Sequence, residues 1–464
     1  MNKIFIILTA IFVGSGILDI WSSFAIAIFI YYLVVFFSKL NEIIAFREFI
    51  LVLFAMNFLF APAVLMNLSD SAEATFYKVK LSKEAFFEIT IPTILLLHLG
   101  LFSLKTNIFN LNFTLVKLDL LSNERILKRW VIIGIACGLL LTQISTEIAF
   151  ILYLISMLKF VGAFGLFSIN KTSNKMYIGA VFFFEITTSL SRGMFGECIL
   201  WLIFFVMFWF YLRKPPVYVR TALIVFSFLG FIVFQNSKND YRSKVWTGGE
   251  EGGVESFLNS TQSKRDNVFD LSSITTSLNR VNQGWILASV VDKMNYTNDF
   301  QQFYIINQYL EAALLPRFLS PNKLTAGNKD LFNQFSGHRI EEGTSMGLGF
   351  FADGYIAFGY WGALAAGFIL GFIFSLIFKL TERWIKISPF FMFFIFPILD
   401  YAVRPDCETQ TIMGHIVKSI LLYGTIIYYT KKVMKKYVMS LKVQDDIEDE
   451  DLTVSQLQPS FAKA

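Results

Sequence analysis

Leu314-Leu315-Pro316-Arg317-Phe318-Leu319-Ser320-Pro321-Asn322-Lys323 sits inside the one long polar interval of the chain, residues 236–348. What flanks that interval decides the fold. In both directions the sequence consists of apolar runs of roughly 20 residues separated by short charged breaks, and as helices such runs cross a hydrocarbon core about 30 Å thick. Strands of a membrane barrel would instead alternate over about ten residues. The reading is an all-α, polytopic membrane protein with about 12 transmembrane helices and one large loop.

Composition agrees. With 55% hydrophobic residues, 53 Phe and only 16% charged residues, and a mean hydropathy of +0.57, the chain is too apolar for a soluble domain or a disordered one. The net charge of +5 is spread over many loops, so nucleic acid is not an expected partner. Cys137, Cys198 and Cys407 show no paired spacing, and His98, His338 and His415 form no cluster with them. Neither a disulfide framework, a metal site nor a cofactor is expected.

Spans are expected at 4–18, 21–37, 49–68, 86–104, 130–144, 148–169, 176–190, 195–212, 221–235, 350–378, 389–403 and 412–430. Lys3, the first apolar run and Ala25-Ile26-Ala27 imitate a signal peptide, but the run simply continues as a second span. Pro62 and Pro92 mark kinks. Lys105, Lys117, Arg125, Lys128 and Arg129 crowd one connection, which the positive-inside rule makes cytoplasmic. Counting from there, Lys171 and Lys175, then Arg213, Lys214 and Arg220, then Arg383 and Lys386, and finally Lys431 to Lys436 all fall on the same side. The chain then divides into a bundle at 1–235, an extracytoplasmic loop at 236–348, a bundle at 349–430 and a cytoplasmic tail at 431–464, with both termini inside. The tail carries an acidic run, Asp445 to Asp451, read as solvated. Asp449-Glu450-Asp451 lies within that run and is not read as a metal motif.

The polar interval is too long for an idle connector. Ile274, Leu278, Val281, Trp285, Ala288 and Val291 recur at helical spacing, as do Phe303, Ile306, Leu310 and Leu314 before Pro316. Both sets predict amphipathic helices lying on the outer mouth of the bundle. Residues 247–264, rich in Gly, Ser and Thr, read as a flap.

The cations carry the chemistry. Arg192 falls between the seventh and eighth spans, where an arginine costs about 3 kcal/mol near the bilayer centre. Snorkelling to headgroups is one account, and a clamp for an anionic headgroup is the other. Lys238 and Arg242, four residues apart, share a helical face able to hold phosphate at the membrane surface, and Arg280, Arg317 and Lys323 add cations in the loop. A guanidinium fork matches phosphate oxygens bidentately. Outside the membrane there is no ATP, so a transferase there needs a preactivated donor, and a lipid pyrophosphate is a natural leaving group for arginines to stabilise. A base must accept the acceptor hydroxyl's proton. Candidates are His338 and Asp353, then Glu341, Glu342, Asp406 and Glu408.

The segment Pro316-Arg317…Pro321-Asn322-Lys323, followed by Asp353-Gly354-Tyr355-Ile356-Ala357-Phe358-Gly359-Tyr360-Trp361-Gly362, resembles the oligosaccharide repeat-unit polymerases, the Wzy-type O-antigen and exopolysaccharide family. The resemblance covers mainly residues 185–365. It implies a membrane glycosyltransferase of the glycosyltransferase C-like class in a bacterial cytoplasmic (inner) membrane, metal-independent and without a cofactor. Its substrate would be polyprenyl-pyrophosphate-linked oligosaccharide repeat units, in contact with membrane lipid and with a chain-length regulator as a further partner. The implied site has His338 and Asp353 as catalytic residues and Arg192, Lys238, Arg242, Arg280, Arg317 and Lys323 binding pyrophosphate. This chain departs from the pattern at Asp353, where the family more often has Glu, at Ala357, more often Asn, and at Leu324, more often Pro. The alternatives are an O-antigen ligase, which uses the same donor with a lipid acceptor, and a flippase for lipid-linked oligosaccharides. A flippase would place charges inside several spans, whereas here they gather in one loop.

Reporter fusions at Gly249 and Lys214 test the topology. They are expected to report opposite sides of the membrane, and cytoplasmic signals from both would overturn it.

Overall fold

The computed structural model describes residues 18–68, 77–106, 113–141, 148–223, 270–315, 319–341 and 344–456, with isolated positions at 14, 16, 144, 226, 230, 237 and 241. All regular elements among them are helices. Before the polar interval come α1 (Ile20–Lys39), α2 (Phe46–Leu68), α3 (Lys83–Leu101), α4 (Phe113–Ser122), α5 (Glu124–Leu140), α6 (Ala149–Ile169), α7 (Lys175–Arg192) and α8 (Gly196–Arg213). Within the interval are α9 (Leu271–Val281), α10 (Gly284–Thr297), α11 (Gln302–Leu314) and α12 (Lys329–Ser336). After it come α13 (Phe350–Ile385), α14 (Pro389–Ala402, its first turns 3₁₀) and α15 (Thr409–Gln456).

Seven helices, α1, α2, α3, α6, α8, α13 and the Thr409–Lys432 part of α15, are long and apolar enough to cross a membrane. This is the make-up of a helical membrane protein. They coincide with the second, third, fourth, sixth, eighth, tenth and twelfth expected spans. The fifth, seventh and eleventh are helices that are shorter or more charged, and the first and ninth lie almost wholly outside the described residues.

Local chemistry sets the helix ends. Asp19 caps α1 by accepting the Ser22 amide at 2.9 Å, and Ser82 caps α3 through the Ala85 amide at 3.3 Å. Pro62 has no amide to donate back along α2, and the preceding turn, Met56–Phe60, widens into a π-helix. Gly193, at φ 63°, ends α7 in the left-handed region.

Without a hydrophobic drive between helices in lipid, close backbone approach holds them together. In α13, a methyl at Gly367 would overlap the Thr93 carbonyl oxygen of α3, and one at Gly371 the Leu97 carbonyl oxygen; from the other side, Gly100 presses on the Phe368 carbonyl. Aromatic stacking fills the centre of the bundle: Phe160 lies on Trp201 at 3.7 Å and Phe164 on Phe396 at 4.2 Å, both nearly parallel.

Three elements differ from the sequence reading. α13 is not one straight span, because Phe358 and Gly359 leave helical geometry, Gly359 at φ 59°. Its first two turns fold back until Gly354 and Gly362 touch, each lacking the methyl that would strike the other's carbonyl. The helix expected over 274–291 breaks at Asn282, which is extended at ψ 94°, and the break lets Gly284 press against Phe86 and Pro62. In α11 the buried face is Ile305, Tyr309, Ala312 and Ala313, while Phe303, Leu310 and Leu314 are exposed. Small alanines permit closer approach than leucines, and Tyr309 has a polar partner inside. The backbone of α15 also stays helical through the acidic run to Gln456, since extending a formed helix carries no nucleation cost.

Gly371→Val is expected to lower the thermal stability of the detergent-purified protein by about 1–3 kcal/mol or more through overpacking. Gly179→Ala, where a methyl meets nothing within 4 Å, is expected to leave it unchanged. Equal melting curves for wild type and Gly371→Val would refute the close contact.

Candidate functional site

The end of α7, the start of α8, the α9–α10 junction, residues 345–347 and the turn after α14 enclose a cavity of about 560 Å³. Sequence-distant cations meet in it. Arg192, in the last turn of α7, and Arg280, in the last turn of α9, both line the wall, and Arg280 lies over the Tyr77 ring at 5.7 Å. Each sits where the helix carbonyls favour a cation. Arg404 joins them from the turn after α14. Its Nη2 is 2.8 Å from Asp400 Oδ1 and its Nε donates to the Asp400 carbonyl at 3.0 Å. These bonds use two of the five N–H groups of a guanidinium. The plane stacks on Tyr401 at 4.5 Å.

Among the described residues, the acids of the wall are Glu185, Glu197 and Asp406. Glu185 is neutralised from behind by Lys159 at 3.2 Å, a pair almost without solvent exposure. Glu197 and the fully buried Asp400 share one neighbour, the Tyr153 hydroxyl, at 3.1 and 2.6 Å. Tyr77, Trp285 and Tyr401 supply ring surface.

The other residues singled out from sequence lie elsewhere. His338 Nε2 is 3.1 Å from the Ser289 hydroxyl, and its ring packs edge-on against Trp285 at 5.4 Å, one layer behind the cavity wall. Burial, and then the charge of Lys80, hold it below the usual histidine range. Asp353 is buried in α13 away from the cavity, its Oδ1 accepting the Tyr309 hydroxyl and its Oδ2 the Thr409 amide, both at 2.8 Å. Burial, and then the Asp353 carboxylate, push the Tyr309 phenol well above its usual range, so it remains a donor. Lys323 donates to the Ala312 and Leu315 carbonyls and closes the end of α11. Lys238, Arg242 and Arg317 lie outside the described residues, although Tyr241 is fixed by donating its hydroxyl to the Leu190 carbonyl at 2.6 Å.

A match to the domain of unknown function DUF8712 covers residues 95–396, well over half of the chain. The chain belongs to the DUF8712 family. No curated protein and no solved structure matches it. The DUF8712 region contains Arg192, Glu197 and Arg280, whereas Arg404 and Asp406 follow it in sequence.

Sequence reasoning passed over Lys159, Glu185, Glu197, Asp400 and Arg404. The signal was present: each is an ionisable residue in or beside an apolar run, where charge is costly and so needs a partner. Asp400 and Arg404 even stand four apart, the spacing of a helical ion pair.

Close to the Asp353 knot, Glu408 accepts the Gly327 amide and the Thr411 hydroxyl and so ties the polar interval to α15. Burial, and then the Asp353 charge, raise its carboxyl to about 7. The folded state therefore holds this proton more tightly than an unfolded chain does. Its contribution to stability is complete below the usual carboxylate range and is lost as pH rises toward about 7. The stability difference between wild type and Glu408→Gln is expected to fall by on the order of 2 kcal/mol between pH 4.5 and 7.5. Thermal unfolding of the two proteins in detergent measures it, and a pH-independent difference would contradict the assignment.

Proposed function

We propose that this cavity holds the pyrophosphate of a polyprenyl-linked glycan and that the protein is a membrane glycosyltransferase polymerising oligosaccharide repeat units into a surface polysaccharide. The observation that carries the reading is the convergence of Arg192, Arg280 and Arg404 on one cavity beside membrane-length helices. In the reaction the acceptor hydroxyl oxygen attacks the anomeric carbon of the growing glycan. The bond from that carbon to the pyrophosphate oxygen breaks, its electron pair leaves with the pyrophosphate, and the hydroxyl proton passes to a base. Charge-assisted bonds of about 1.5–3 kcal/mol each stabilise the leaving group without a metal. Tyr77, Trp285 and Tyr401 offer ring faces to the sugars next to it.

For the base, Asp406 lines the cavity and His338 stands behind Trp285, whereas both oxygens of Asp353 are engaged. Asp406 and then His338 take the role in this proposal, and Asp353 fixes α11 and α15 against α13. The finer architecture belongs to the same proposal: about twelve spans of the glycosyltransferase C-like class, residues 236–348 outside the cytoplasm, both termini inside, and a bacterial inner membrane shared with a chain-length regulator.

Purified protein given lipid-linked repeat units tests the reading, with products resolved as a ladder on a gel. Arg192→Ala and Arg280→Ala are expected to lower elongation about 100-fold each at near-normal protein abundance. Lysine at either position is expected to restore only part, because an ammonium lacks the paired donors of the guanidinium. Activity is expected to survive EDTA. Full ladders from both alanine variants would return these arginines to a structural role, and glycan appearing on a lipid acceptor instead would identify a ligase.

A further inference from the structure

Glu88 stands in the second turn of α3, a helix long and apolar enough to cross a membrane, and its side chain is exposed on the outside of the bundle. Glu84, one turn earlier and also exposed, lies in the first turn, where the free amides of the helix end stabilise a carboxylate. That stabilisation fades beyond the first turn, so Glu88 needs another account. Its carboxylate enters no hydrogen bond and no ion pair with the described residues. A charge on a membrane-spanning helix is costly until it meets an opposite charge or water.

Glu88 lines a groove of about 380 Å³ together with Trp21, Phe87, Ile91, Pro92 and Tyr360. Three helices bring these residues together. Asp19, the cap of α1, lies 3.0 Å from Lys83 at the start of α3, which ties the two helix starts with Trp21 in the first turn of α1. Tyr360 comes from α13 just after the reversal at Phe358 and Gly359, and the Gly367 and Gly371 contacts hold α13 against α3. Trp361, beside it, is 74% exposed. Trp and Tyr rings at the ends of membrane-length helices take the level of the lipid headgroups. The groove therefore sets a carboxylate among aromatic rings at that level. A carboxylate accepts the N–H groups of an ammonium, and ring faces attract the same cation through their quadrupole.

We propose that this groove binds a phospholipid whose headgroup ends in a primary ammonium, an ethanolamine lipid, with the ammonium on Glu88 and against Trp21 and Tyr360. Ile91 and Pro92, one turn further into the span, give apolar surface to the glycerol and the upper part of the acyl chains. A choline headgroup carries the same charge and meets the same rings, but its quaternary nitrogen has no N–H to donate to Glu88. The groove thus distinguishes two headgroups of equal net charge. It shares no described lining residue with the cavity that contains Arg192 and Arg280, and it does not depend on what that cavity holds.

Full-length protein in detergent, titrated with phosphatidylethanolamine or phosphatidylcholine of identical acyl chains, tests this by native mass spectrometry, which counts the lipids on each protein. Wild type is expected to bind its first ethanolamine lipid about tenfold more tightly than its first choline lipid. Glu88→Gln keeps the shape, removes the charge and is expected to bind the two equally. Trp21→Leu removes a ring common to both headgroups and is expected to weaken each about threefold while the preference survives. Glu84→Gln, the same charge change one turn away and outside the groove, is expected to behave as wild type. The wild-type comparison needs no variant, and Trp21→Leu still locates the site should Glu88→Gln fail to fold. Equal binding of the two lipids by wild type would overturn the proposal and leave Glu88 a hydrated surface charge. A preference that survives in Glu88→Gln, or that Glu84→Gln also abolishes, would overturn it as well, as would affinities untouched by Trp21→Leu.

Discussion

The buried pair between Asp400 and Arg404 is the constraint on which the site depends. Asp400 has no solvent exposure, so its charge must be met inside the protein, and Arg404 and Tyr153 meet it at 2.8 and 2.6 Å. Removing one partner of such a pair costs about 3–5 kcal/mol, because the other charge stays buried and unpaired. The pair itself is local, tying the turn after α14 to α14, and Tyr153 of α6 links Asp400 to α6 and Glu197 at the start of α8 to the same point. Lys159 and Glu185 do the same between α6 and α7. Apolar contacts among these helices have no direction, and the Lys159–Glu185 pair and the Tyr153–Asp400 hydrogen bond supply directional links between them.

A second set of polar contacts joins the described part of the polar interval to the bundle. Tyr309 of α11 donates to Asp353, the Tyr355 hydroxyl donates to Asn295 of α10 at 2.7 Å, and Glu408 accepts the Gly327 amide. Two of these three anchors lie in the folded-back start of α13, whose turn exists because Gly359 tolerates a positive φ and Gly354 and Gly362 tolerate contact. The backbone reversal therefore decides where α10 and α11 sit.

What the sequence made legible follows from periodicity and from cost. Long apolar runs have few other folds open to them, so most membrane-length helices were readable, as was the buried face of α10 through Trp285, Ala288 and Val291. Arg192 was noticed because an arginine near lipid demands a reason and Arg280 as a cation of the polar interval, and one cavity contains both. The buried face of α11 was misread because hydrophobicity alone points to Phe303 and Leu314, whereas the winning contacts are a phenol and two alanines. The reversal at Gly359 was illegible because Gly is equally at home in a straight packed helix. Arg404 and its partners were missed because Lys159, Glu185, Glu197 and Asp400 were counted inside apolar spans without asking which partner met each charge.

The corner between α7 and α8 shows why the two charge types stand together. Arg192 is the last residue of α7 and Glu197 the second of α8, and only the turn through Gly193 and Phe195 separates them. Gly193 closes that turn with its amide on the Leu190 carbonyl at 3.1 Å, and Met194 returns to Ser189 at 3.1 Å. A cation at a helix C-terminus and a carboxyl at a helix N-terminus are each stabilised by their own helix dipole. The corner can therefore hold both charges on one wall without the two forming a closed ion pair of their own. Tyr153 holds Glu197 toward Asp400 instead.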